Sequence, residues 1–132
     1  MKLMDLGINC VVSKRVNDIK KNNLPVSVKD FGALGNGVND DTQAFKNAIN
    51  NSNCVYVPSG SYLISDTIVI DKPLTLYGEN LNTTVLNFSN YTNKDFILID
   101  NTEKVNINNL TLNHGIQDVN EISVIKIDSE KT

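Results

Sequence analysis

The first residues of this chain whose types and spacing could do chemistry are the adjacent carboxylates Asp40 and Asp41, followed by Thr42 and Gln43. Paired acids serve general acid–base catalysis or hold Ca²⁺. They also have a cheaper use. Asp40 as an N-cap, with Gln43 three positions on, makes a capping-box arrangement, and both charges suit the positive end of a helix dipole. Capping is the preferred reading. Just upstream, Gly32, Gly35 and Gly37 lie in FGALGNG. A phosphate-cradling loop would need G-x-G-x-x-G or a following Lys-Ser/Thr, and neither is present. A tight turn with positive φ accounts for these glycines, and Asn36 tolerates the same conformation. Cys10 and Cys54 are far apart, without a CxxC pattern and with one histidine in the chain, so they do not form a zinc site. They read as two buried or free thiols of a reducing compartment.

The elements that would position these residues come in two kinds. In residues 1–25, Val12, Val16 and Ile19 fall at i, i+4 and i+7, one face of a short helix. Ser13 suits its N-cap, and Asn22, Asn23 and Pro25 end it. Lys14, Arg15, Asp18, Lys20 and Lys21 make the opposite face. Such a helix either lies on its own domain or forms a neck between subunits. Val26 and Val28 alternate with polar residues, as a short strand does. A helix then begins near Asp41 and ends near Asn51-Ser52, with Ala44, Phe45, Ala48 and Ile49 as its apolar face. From Cys54 onward the period becomes two, in short segments such as VYVP, TIVI, LTLYG and FILID.

Three of these segments repeat. Thr67–Asp71, Phe96–Asp100 and Val124–Asp128 each read x-Ile-x-Ile-Asp, with the aspartates 29 and then 28 positions apart. Because a strand alternates faces, Ile68, Ile97 and Ile125 are expected to stack in one column and Ile70, Ile99 and Ile127 in a second. Val69, Leu98 and Lys126 then point the other way. A unit of this length built of short strands is the mark of a solenoid, and a right-handed parallel β-helix fits it. About one residue in six is asparagine, which suits turns and amide ladders between layers. The helix at 41–51 is placed to cover the first open end. The third repeat stops at Ser129–Thr132 without a capping segment, so the chain is expected to be part of a longer solenoid.

Bulk properties exclude several classes. The chain has 132 residues, 40% of them hydrophobic, and a net charge of −3. That balance lacks the basic footprint of a general nucleic-acid binder. No apolar run approaches the length of a membrane span. MKLMDLGINC is too short and too broken for a signal-peptide core.

The residues Val28–Ala33, Gly35-Asn36-Gly37, Asp40-Asp41-Thr42, Ala44, Ala48-Ile49 and Val55–Tyr62 carry a resemblance. They resemble the opening of the pectate-lyase-like β-helix superfamily over roughly residues 26–80, with Asn36 where Asp is usual. VVSKRVNDIKKN before VSVKDFGA is similar to bacteriophage tailspike and tail-fibre proteins. The resemblance implies a mainly β protein: residues 1–25 as a helical neck or attachment segment, and 26–132 as the first coils of a right-handed parallel β-helix with a capping helix. It implies a homotrimer on a phage tail or baseplate, assembled in the host cytoplasm and directed at bacterial surface polysaccharide.

The family's catalytic carboxylates lie on later coils or between subunits, so none is carried over. Catalytic residues stay unknown, and no cofactor or metal is expected. Glycoside hydrolysis needs two carboxyl groups at a set separation. Asp66, Asp71, Glu79, Asp95, Asp100 and Glu103 qualify only by being acidic. His114-Gly115 resembles the His-Gly pair of polygalacturonases but lies too early in the chain and reads as a turn. Tyr56, Tyr77 and Tyr91 could stack on sugars if exposed, and are as easily partly buried. The alternatives are a secreted bacterial polysaccharide-degrading hydrolase or lyase with a pectin-like substrate, or a non-catalytic glycan-binding adhesin.

Overall fold

The computed structural model describes residues 25–89, 95–102, 104–114 and 125–128. The neck helix, Cys10, Tyr91, Glu103, Gly115 and the last four residues lie outside them.

The described chain is mainly β, with one α-helix and three parallel sheets. It opens with β1 (Val26–Ser27), a 3₁₀ turn (Val28–Phe31), β2 (Asn36–Asp40) and α1 (Thr42–Asn51). Nine strands follow: β3 (Cys54–Val57), β4 (Gly60–Ile64), β5 (Ile68–Ile70), β6 (Leu74–Gly78), β7 (Thr84–Phe88), β8 (Ile97–Asp100), β9 (Val105–Asn108), β10 (Thr111–Asn113) and β11 (Ile125–Asp128). From β3 onward, successive strands visit the three sheets in rotation. The orders are β1-β3-β6-β9, β10-β7-β4-β2 and β11-β8-β5. We call these the first, second and third sheets.

The isoleucine columns are in register. Ile68 pairs with Ile97 and Ile97 with Ile125, while Ile70 pairs with Ile99 and Ile99 with Ile127. Their inner members are buried, and the columns open outward to Ile127, which is 70% exposed. This gradient has a measurable consequence. Ile97→Val should cost about 1 kcal/mol because it empties a packed site. Ile127→Val should stay within about 0.5 kcal/mol, as a surface change does. Urea unfolding of the two variants compares them directly. The other two sheets line the same core with Val55, Leu74 and Leu76, and with Tyr62, Ile64, Leu86 and Phe88.

Helix α1 falls in chain order where a first strand of the third sheet would come, between β2 and β3. It packs on β5, the edge strand of that sheet, and on the 3₁₀ turn. Ala44, Phe45, Ala48 and Ile49 are buried in the core, as the apolar spacing predicts. The helix therefore covers apolar side chains that no strand overlies at this end.

Candidate functional site

The motif residues converge around the start of α1. Gly32, Gly35 and Gly37 all have positive φ, as the turn reading expects. Asn36 Oδ1 accepts hydrogen bonds from the backbone N–H groups of Val38 and Asn39, both at 2.9 Å. An aspartate would accept the same pair, so Asn36 serves the same turn.

The expected capping box on α1 is absent. Asp41, not Asp40, is the N-cap residue, and its carboxylate makes no cap bond. Asp41 is 2% exposed. Its Oδ1 accepts from Leu34 N–H and its Oδ2 from Gly35 N–H, each at 3.0 Å. Its charge is thus met by the backbone of the glycine turn, as a buried carboxylate requires. Gln43 donates to Asn47 Oδ1 instead of folding back. A reciprocal capping box does form on the 3₁₀ turn, between Ser27 and Asp30. Sequence spacing missed it because the turn has only four residues.

Asp40 faces the other way. Its Oδ1 accepts from Thr42 N–H at 3.0 Å and from the Thr42 hydroxyl at 2.6 Å, and its Oδ2 accepts from the Ser65 hydroxyl. Ser65 N–H in turn donates to Thr42 Oγ1 at 2.7 Å. Nearby, Lys46 Nζ lies 3.3 Å from Asp66 Oδ2. Burial is the largest influence on Asp40 and raises its pKa. The bonds from Ser65 and Thr42 together outweigh burial and the Asp66 charge, and hold the carboxyl below its ordinary range.

The linkage sign follows. A depressed folded value contributes stability above the unfolded pKa, and that contribution is lost as pH falls through the folded one. Ser65→Ala should therefore flatten the acid limb of stability below about pH 4, read from thermal midpoints across an acid series.

The tyrosine that ends the Val55–Tyr62 stretch belongs to the same assembly. Tyr62 is fully buried. Its hydroxyl donates to Pro58 O at 2.7 Å, and its ring meets Phe45 edge-on at 5.4 Å. A Cβ on Gly35 would come within 3.0 Å of the Tyr62 ring, so this turn needs glycine for space as well as for φ. This opening segment is thus a clasp: turn, carboxylate, helix start and tyrosine hold one another.

Among the described residues, Glu79, Asp71, Asp95 and Asp100 sit on separate turns and strands. Glu79 accepts from Ser59 N–H at 3.0 Å. That bond, with Tyr56 adding to it against a smaller desolvation effect, holds its carboxyl below the ordinary range. Asp71, Asp95 and Asp100 lie in turns or at strand ends. Among the described residues no group of three or more His, Cys, Asp or Glu could hold a metal ion. His114 follows β10 with its ring 5.0 Å from Phe88 and 6.2 Å from Phe96. It extends an aromatic stack.

Tyr77 is 1% exposed and not displayed for sugars, whereas Tyr56, its ring 5.1 Å away, is half-buried. Cys54 is disulfide-bonded, against the expectation of a thiol. The expected amide ladder is present on the outer face of the second sheet. Asn113 donates to Asn87 Oδ1 at 3.0 Å, and Asn87 donates to Ser61 Oγ at 2.8 Å.

A mainly β chain of in-register parallel sheets, closed at one end by α1 and clasped by this motif, is a pectate-lyase-like domain. The family model described as rhamnogalacturonase A/epimerase, pectate lyase-like, matches residues 25–132, and the chain belongs to that family. The pre-neck appendage protein of Bacillus phage B103 is 33% identical over 91 residues, covering 69% of this chain and 10% of that protein. The plasmin and fibronectin-binding protein A of Streptococcus pneumoniae is 36% identical over 94 residues, 67% of this chain and 13% of that protein. The crystal structure of the pre-mature gene product 12 of bacteriophage phi29 superposes with a TM-score of 0.62 at 34% identity, covering 66% of this chain and 12% of that one. The chain thus spans about a tenth of the relatives it matches.

Proposed function

We propose that this chain is part of a phage tail appendage, carried on the virion and assembled in the host cytoplasm. Residues 26–132 form the first turns of a right-handed parallel β-helix, and residues 1–25 precede it as an attachment segment. The observation that carries the reading is the likeness to phage pre-neck appendage proteins, 33% identical over 91 residues for that of Bacillus phage B103. In this reading the clasp starts the β-helix and does no chemistry. Host polysaccharide recognition or cleavage belongs to a region downstream, and the working particle is a homotrimer that contacts other tail proteins.

Immunogold electron microscopy with antibodies to residues 26–132 tests the placement. Labelled tail appendages are expected, and unlabelled virions from a producing culture would overturn it. Light scattering of the full-length product should give three copies.

One specific observation favours a second reading, a bacterial surface-binding protein. The streptococcal plasmin and fibronectin-binding protein matches at comparable identity over a comparable length. Recovery of the protein with cell envelopes of uninfected cells, and not with particles, would select it. A saccharide-cleaving enzyme with the same fold would show reducing ends or unsaturated uronates on incubation with polysaccharide.

A further inference from the structure

Asn36 is the one asparagine in the chain that precedes a glycine. Such a pair can close on itself. The backbone nitrogen of the glycine attacks the side-chain carbonyl carbon, and no Cβ obstructs its approach. The step is intramolecular, so no second reactant has to be brought in. Asn36 and Gly37 are both exposed, so water reaches them.

The fold holds this amide in a particular way. Asn36 Oδ1 accepts from two backbone N–H groups, those of Val38 and Asn39, each at 2.9 Å. Attack at Cγ moves negative charge onto that oxygen. Two fixed N–H donors aimed at an oxygen that gains charge are the arrangement of an oxyanion hole. Asn36 Nδ2, the group that would leave, donates to Asn39 Oδ1 at 2.8 Å. The pairing of β2 with β4 joins Asn36 to Ser61 and Asp40 to Leu63, with an irregularity between them. Val38 and Asn39 fall inside it, and Gly37, at φ 76, turns the backbone toward them. Val38 is 78% exposed.

We infer that Asn36-Gly37 is a self-modifying site, where the N–H groups of the turn promote conversion of Asn36 to aspartate. The bond from Gly37 N to Asn36 Cγ forms as the Cγ–Nδ2 bond breaks. The Gly37 amide proton leaves with Nδ2 as ammonia, and a five-membered cyclic imide remains. Water then adds to Cγ, the bond from Gly37 N to Cγ breaks, and a proton returns to Gly37 N. One water is consumed, one ammonia is released, and nothing is oxidised or reduced. The same two donors activate Cγ toward water, and the new carboxylate keeps both bonds. Addition at the main-chain carbonyl would reroute the backbone through the side chain and take the acceptor away from Val38 and Asn39. The fold therefore favours aspartate over isoaspartate. The product carries one more negative charge than the −3 of the parent chain.

The test uses the full chain, held in warm, mildly alkaline buffer and mapped by mass spectrometry, with chromatography to separate aspartate from isoaspartate. Asn36 should convert first among the asparagines, chiefly to aspartate. It should react at least about tenfold faster than in guanidinium chloride, less than the loss caused by removing one oxyanion donor from an enzyme. Val38→Pro has no N–H to donate and should lose most of that advantage. Val38→Ala keeps the N–H and should keep the rate. A parent that converts no faster when folded than when denatured overturns the inference. So does a folded Val38→Pro that matches the parent, or isoaspartate as the main product. The comparison of folded with denatured parent decides even where Val38→Pro fails to fold.

Discussion

Gly78→Ala is expected to cost about 3 kcal/mol, the upper end of the usual range for overpacking. Gly78 ends β6, opposite Val57 of β3. A Cβ there would lie 2.2 Å from the backbone carbonyl oxygen of Asn109, 2.9 Å from Thr84 Cγ2 and 3.0 Å from Leu110 Cβ. The first of these is backbone and cannot swing aside. Asn109 itself sits at φ 60, at the end of β9, where the chain turns toward β10. Relieving the clash means moving that turn, and with it the pairing of Tyr77 with Asn108. Thermal unfolding of the full chain should show a midpoint lowered by on the order of 10 °C. A midpoint equal to the parent's would mean the layers separate more readily than their register implies.

Asp41→Ala should cost about 2–4 kcal/mol, because two backbone N–H groups lose their acceptor in a site closed to water. The groups are those of Leu34 and Gly35, and both bonds bridge from the helix start to the glycine turn. Asp41→Asn keeps one oxygen and should lose roughly half as much. The denaturant midpoint reads both. The same pair of variants separates clasp from catalyst. Loss of stability in proportion to lost acceptors marks the clasp. An unchanged midpoint with loss of a polysaccharide-cleaving activity would mark a catalytic carboxylate. Asp41 is 2% exposed and its oxygens are already engaged, so the first result is expected.

What could be read in advance follows from how each feature is encoded. The isoleucine columns were legible because a strand alternates faces residue by residue, so a period of 28 or 29 positions becomes a stack as soon as the layers align. The glycine turn and the apolar face of α1 were legible for the same local reason. The capping assignment failed because Asp40 and Asp41 differ only in which way each carboxylate turns. That choice is made by partners outside the helix. Ser65, 25 positions away, takes Asp40, and the turn at Leu34 and Gly35 takes Asp41.

By itself, then, the order of residues determined the strand period, the stacking columns, the turn glycines and the helix over the first open edge. Each needs only the geometry of a few consecutive residues. The tertiary structure alone decided which partners hold the paired acids and that Tyr62 packs against the turn. It alone decided that Tyr77 packs on Tyr56 out of reach of solvent, and that Gly78 has no room for a side chain. Those outcomes depend on contacts between layers, and a contact across layers exists only once register brings distant residues within a few ångströms.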